Sequence, residues 1–96
     1  MIAIIIEFDV KLECRAQFEA RLHADAKETL RDDGCFCMEI LKPCGNDAGG
    51  AGKIVLSELW RDDAAIAAHR NKPGHSHAWQ EPMIRNKQSS RYEVAA

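Results

Sequence analysis

Aromatic side chains make up only 6% of the 96 residues, proline occurs three times, and neither charge sign dominates. Each scarcity excludes something. The net charge of −2 and the pI near 6.1, with no cluster of Lys and Arg interleaved with aromatics, argue against a nucleic-acid binder. No apolar run approaches the roughly 18–20 residues that a bilayer-crossing helix needs. The opening Met1–Ile6 meets Glu7 too early, and lacks the basic start, of a secretory signal. The expectation is therefore a cytoplasmic chain whose four cysteines, at 14, 35, 37 and 44, remain thiols. The sequence also shows no internal repeat and no low-complexity tail. With 46% hydrophobic and 29% charged residues, it reads as one globular domain over 1–96. A domain this small has a thin core, because only about 60–65% of its unfolded surface is buried on folding. Without disulfides, the expected source of extra stability is a second copy of the chain.

Periodicity then supplies the elements. Residues 2–12 alternate Ile6, Phe8, Val10 and Leu12 with Glu7, Asp9 and Lys11, a strand period. Residues 14–32 carry Phe18, Leu22, Ala26 and Leu30 as one helical stripe among charges, with Gly34 as the stop. Residues 35–42 read as a strand with Phe36, Met38 and Ile40 on one face and Cys35, Cys37 and Glu39 on the other. Residues 43–52 form a glycine-rich connection that matches no phosphate-binding pattern. Residues 53–60 give a third strand bearing Ile54, Leu56, Glu58 and Trp60 on one face. Asp62 opens a helix to residue 70, a short helical piece follows over 75–83, and 86–95 is a last strand. The order β-α-β-β-α-β predicts an α+β, ferredoxin-like domain. Helices cover only one face of such a sheet, and the middle strands are apolar or uncharged on both. A homodimer that packs sheet on sheet would cover the second face.

Candidate chemistry concentrates in Ser57–Trp79. His69, near the end of the second helix, suits either a helix C-terminal capping role or a general base, since imidazole exchanges protons near neutrality. Glu58 is a charge on an apolar strand face and needs either an ion-pair partner or a cavity. Trp60 and Trp79 suit core packing or a pocket wall whose indole N–H donates a hydrogen bond. His69, His75 and His77 lack a spacing that converges three imidazoles, and no metal site is expected from them. Cys35 and Cys37, read as neighbours on one strand face, suit packing better than metal binding.

The stretch Leu56-Ser57-Glu58-Leu59-Trp60, the alanine-rich helix ending Ala68-His69, and then Pro73, His75 and Trp79 resemble the antibiotic biosynthesis monooxygenase family. Gly34-Cys35 also resembles that family's glycine-cysteine strand start, while Gly74 stands as an insertion between the proline and the histidine. The resemblance covers roughly residues 2–94 and is closest to the small quinol monooxygenase-like members. It implies a dimeric α+β barrel with a pocket between sheet and helices in each protomer. It also implies oxygenation of a small electron-rich aromatic without cofactor. His69 would be the base, with Glu58 or His75 orienting it. Trp60, Trp79, Ile66 and Leu56 would contact the substrate. A haem-degrading role is disfavoured, because the first strand has no asparagine and His69 stands where those members carry tryptophan. The competing expectations are a non-catalytic dimeric metabolite binder and an isomerase of a small phosphorylated keto-sugar.

Overall fold

A computed structural model describes residues 1–45 and 52–96, so most of the glycine-rich connection lies outside the described residues. Strand β1 spans Ile2–Val10, helix α1 Arg15–Thr29, β2 Cys35–Leu41, β3 Lys53–Trp60, α2 Asp63–Arg70 and β4 Ile84–Glu93. Short 3₁₀ turns occupy Leu12–Cys14 and Ala78–Met83. The strands form one antiparallel sheet in the order β2-β3-β1-β4. This is the ferredoxin-like α+β arrangement that the element order predicts.

Alternation places Ile4, Phe8 and Val10 of β1 in the core beside Ile54, Leu56 and Trp60 of β3. Two clusters result. One packs Phe8, Val10, Ile54 and Leu56 against Phe18 and Leu22 of α1. The other packs Ile4, Cys35 and Trp60 against Ala65 and Ile66 of α2. Asp62 starts α2 as expected, its carboxylate accepting a hydrogen bond from the Ala65 N–H at 2.9 Å.

Four elements differ from the sequence pattern. β1 ends at Val10, and Leu12 is exposed in the 3₁₀ turn rather than in line with the strand's buried face. Helix α1 ends at Thr29, and Leu30 is 46% exposed while Thr29 is buried. At about 100° per residue, Thr29 lies roughly 20° from Phe18 around the helix and Leu30 about 120° away, so a strict four-residue stripe drifts off the core. The third concerns β2, where the pairing with β3 slips between Cys35 and Cys37. Phe36 is the extra residue of this bulge and is 54% exposed. The bulge reverses the alternation, so Cys35 is buried opposite Trp60 while Cys37 stands on the outer face opposite Leu59. The two thiols therefore do not share a face. β4 begins and ends two residues earlier than the sequence pattern indicates.

Gly34 joins α1 to β2 with φ of +87°, and a Cβ there would lie 2.5 Å from the Ala65 Cβ. Gly34→Ala combines a left-handed backbone penalty with overlap against α2. It is expected to cost about 2–4 kcal/mol in urea denaturation. A loss under about 0.5 kcal/mol would show that the turn and α2 yield freely.

Candidate active site

The two helices lie on one face of the sheet, and a cavity of about 290 Å³ opens between them and the strands. Ile6, Phe8, Leu22, Met38 and Leu56 give it apolar walls. Its polar groups include Asp32, Glu58, His69, Lys72, His75 and Gln80.

His69 occupies the last turn of α2 and Asp32 the turn after α1. The His69 Nδ1 lies 2.5 Å from Asp32 Oδ2, and Lys72 Nζ donates to Asp32 Oδ1 at 2.6 Å. The Asp32 side chain is only 12% exposed. Burial opposes its ionisation, but the hydrogen bonds and charges of Lys72 and His69 outweigh burial and hold its pKa below the ordinary carboxylate value. An ionised carboxylate only accepts hydrogen bonds, so Nδ1 must carry the proton. In the neutral ring the lone pair is then on Nε2, which has no hydrogen-bond partner among the described residues. This is the arrangement in which a carboxylate fixes the tautomer and orientation of an imidazole.

The carboxylate on His69 is thus Asp32, where the sequence points to Glu58 or His75. Glu58 instead accepts a 2.7 Å hydrogen bond from the Trp60 indole Nε1, two residues along the same face of β3. Burial pushes Glu58 up, against the opposing effects of the Trp60 bond and the nearby charges of His69, Arg70 and Lys87. The Trp60 ring also packs on His69 at 5.1 Å between centroids. His75 stands edge-on to His69 at 4.5 Å, and His77 edge-on to His75 at 4.7 Å. The turn at Gly74, with φ of +82°, directs the chain back so that these rings meet. Burial, then the neighbouring positive charges, lowers the pKa of His75. The same effects push His77 well down. Among the described residues, no group of His, Cys, Asp and Glu side chains converges as a metal site.

The structure therefore brings Glu58, His69, His75 and Leu56 to the cavity wall. Trp60 is buried behind Glu58 and His69, and Ile66 is buried in the α2 cluster. Trp79 packs on Phe18 at 5.3 Å beneath the Arg21 guanidinium, away from the wall. Its indole N–H is buried without a hydrogen-bond partner among the described residues. Asp32, Lys72 and Gln80 are wall residues that the sequence did not single out for this site. The approach of Asp32 to α2 depends on the pairing of Cys35 with Trp60, a register that no local pattern encodes.

A ferredoxin-like domain with a histidine-bearing cavity between sheet and helices defines a class of small pocket-bearing α+β proteins. Within that class the chain matches the antibiotic biosynthesis monooxygenase family over residues 1–81, and it belongs to that family. Solved structures agree on the fold. A protein of Deinococcus radiodurans, described as a proposed antibiotic biosynthesis monooxygenase, is similar with a TM-score of 0.85 at 20% identity, over 100% of this chain and 94% of that one. Rv0793 of Mycobacterium tuberculosis gives 0.84 at 24% identity, over 99% and 95%. PA3566 of Pseudomonas aeruginosa gives 0.82 at 20%, over 99% and 94%. No curated protein matches the chain. No helix among the described residues is long and apolar enough to cross a membrane.

Proposed function

We propose that the protein is a cofactor-independent oxygenase of a small electron-rich aromatic, of quinol or anthrone type, bound in the cavity between sheet and helices. The observation that carries this reading is the Asp32-held His69 on the wall of a cavity that also offers the apolar side chains of Ile6, Phe8, Leu22, Met38 and Leu56 to a ring system. A volume of about 290 Å³ stands at the lower edge of the roughly 300–1,000 Å³ usual for small-molecule sites, which favours a compact ring system.

The chemistry needs a base before it needs an oxidant. Dioxygen reacts slowly with closed-shell organics, but an aryloxide or enolate can pass it one electron. Phenols ionise near pH 10, so ionisation at neutrality asks for about 3 pKa units, near 4 kcal/mol. His69 Nε2 takes the proton, and Asp32 stabilises the resulting imidazolium through Nδ1–H. The substrate anion reduces O₂ by one electron, the radical pair joins as a C–O bond, and the peroxide O–O bond then breaks. For an anthrone-type methylene, one oxygen stays as a carbonyl and the other leaves as water with the two displaced hydrogens; the carbon gives up four electrons in all and O₂ takes up the same four. His69 returns its proton to the departing oxygen. Glu58 and His75 border the same space and are placed to hold a substrate hydroxyl.

The phosphosugar reading has less support. The two wall cations, Arg21 and Lys72, already each hold a carboxylate, Asp25 and Asp32, which would compete with a phosphate for them. A metabolite binder without turnover would show ligand-dependent melting shifts with no oxygen uptake.

The working unit is proposed to be a homodimer. Tyr92, Ala3, Leu59 and Cys37 form one row across all four strands on the face away from the helices, and Tyr92 is 57% exposed. Leu59→Asp, in the middle of that row, is expected to shift sedimentation from dimer to monomer and to lower the melting temperature. A Leu59→Asp protein with the parent's mass and melting temperature would contradict this packing.

A further inference from the structure

Gln80 is a polar side chain only 4% exposed, set in the 3₁₀ turn before β4 and facing the cavity. Its Oε1 accepts a 2.8 Å hydrogen bond from Lys87 Nζ. Lys87 stands opposite Phe8 on the helix-facing side of β4, and its ammonium lies 5.5 Å from the Phe8 ring centroid. An ammonium only donates, so the amide atom turned to Lys87 must be the oxygen. The NH₂ group is thereby turned away from Lys87. It has no hydrogen-bond partner among the described residues, yet it is not sealed within the packing as the Trp79 N–H is. In a residue this deeply buried that faces the cavity, the surface left open to the NH₂ is the cavity's own. A ligand that covers this NH₂ without offering an acceptor strands the donor at a cost, whereas a ligand oxygen takes over the bond that water makes there.

We infer that the Gln80 amide, locked by Lys87, is the recognition point for an acceptor oxygen on the bound aromatic, a carbonyl or the oxyanion formed from it. Along β1, Lys87 is level with Phe8 and Glu58 with Ile4, four residues or about 14 Å of strand apart. The backbone positions that carry the Gln80–Lys87 pair and Glu58 thus stand at different levels of the sheet, while the charges of Lys87 and Glu58 reach toward each other. A ligand spanning the cavity places an oxygen on Gln80 while His69 faces its other edge. This deepens the oxygenase reading and rests on it only for the reaction; the binding preference stands without turnover.

The test uses two redox-inert bicyclic probes that differ by one oxygen, 1-tetralone and tetralin, titrated against the whole protein by calorimetry. The parent is expected to prefer 1-tetralone by about tenfold, the scale of one well-placed hydrogen bond in a site built for it. Gln80→Glu keeps the side-chain length and an acceptor for Lys87 but has no N–H, and Gln80→Met removes both polar atoms. Either variant is expected to lose the preference while binding tetralin as the parent does. If the parent binds neither probe at millimolar concentration or binds both alike, the inference is overturned. It is also overturned if the preference survives both variants, or if both variants lose both probes equally, which would make Gln80 a packing residue. Intact preference without oxygen uptake would retire the oxygenase reading and leave this one standing.

Discussion

His69→Ala is expected to lower kcat/KM for quinol- or anthrone-dependent oxygen uptake by about 10²–10⁴-fold, the usual worth of a positioned general base. The side chain lines the cavity rather than the packed core, and Asp32 keeps Lys72 when it is removed, so the fold should survive with a modest loss. Asp32→Asn is the sharper companion. Asparagine matches the carboxylate in shape but can present N–H to Nδ1, which would move the imidazole proton to Nε2 and abolish the base. It also removes the charge that stabilises the imidazolium and the partner of Lys72. A fall of similar order is expected, with KM changed far less than kcat. Lys72→Met should do less, since it leaves the Asp32–His69 bond in place. Oxygen-electrode kinetics on the three variants would separate these effects. An unimpaired His69→Ala enzyme would mean that another group takes the proton.

Trp60→Ala should produce the largest loss of stability, about 3–5 kcal/mol, against a total of about 5–15 for a domain of this size. Trp60 is the largest fully buried side chain, at 1% exposure, and it links the α2 cluster to the site. Its ring supports His69 and its N–H holds Glu58. Trp60→Phe keeps most of the packing and removes only that donor. Glu58 is already raised by burial, and loss of the bond that opposes the rise should raise it further. A carboxyl with a raised folded pKa contributes stability that is present below its unfolded pKa and lost as pH rises through the folded one. The deficit of Trp60→Phe against the parent should therefore widen as pH rises above about 4.5 through the Glu58 range. Urea denaturation at several pH values measures the gap. A gap that is constant with pH would show that the indole N–H does not govern Glu58.

Much of the architecture is legible in local pattern. Alternation in Phe8–Val10 and Ile54–Trp60 marks the two central strands, and the Asp62 cap marks the start of α2. What local pattern cannot hold is register and geometry. The Phe36 bulge inverts the face of Cys35, and the drift of a 3.6-residue helix exchanges Thr29 for Leu30 in the core. β4 is held by its backbone ladder to β1 and turns Lys87, Ser89 and Arg91 toward the helix side, so it carries almost no apolar signal. Arg91 pairs with Asp63 across that gap, a tie between elements far apart in sequence. The site divides in the same way. Glu58, His69 and His75 stand out as polar groups in a telling stretch. Asp32 and Gln80 acquire meaning only when folding brings the turn after α1 and the turn before β4 to the same cavity.

Cofactor-free oxygenation is tested by oxygen consumption of chelator-treated, flavin-free protein supplied with anthrone under ¹⁸O₂. One O₂ is expected to be consumed per anthrone oxidised, with one labelled oxygen retained in the carbonyl product and the rate lost with His69→Ala. Uptake no faster than the buffer alone, or an equal rate with His69→Ala, would contradict it.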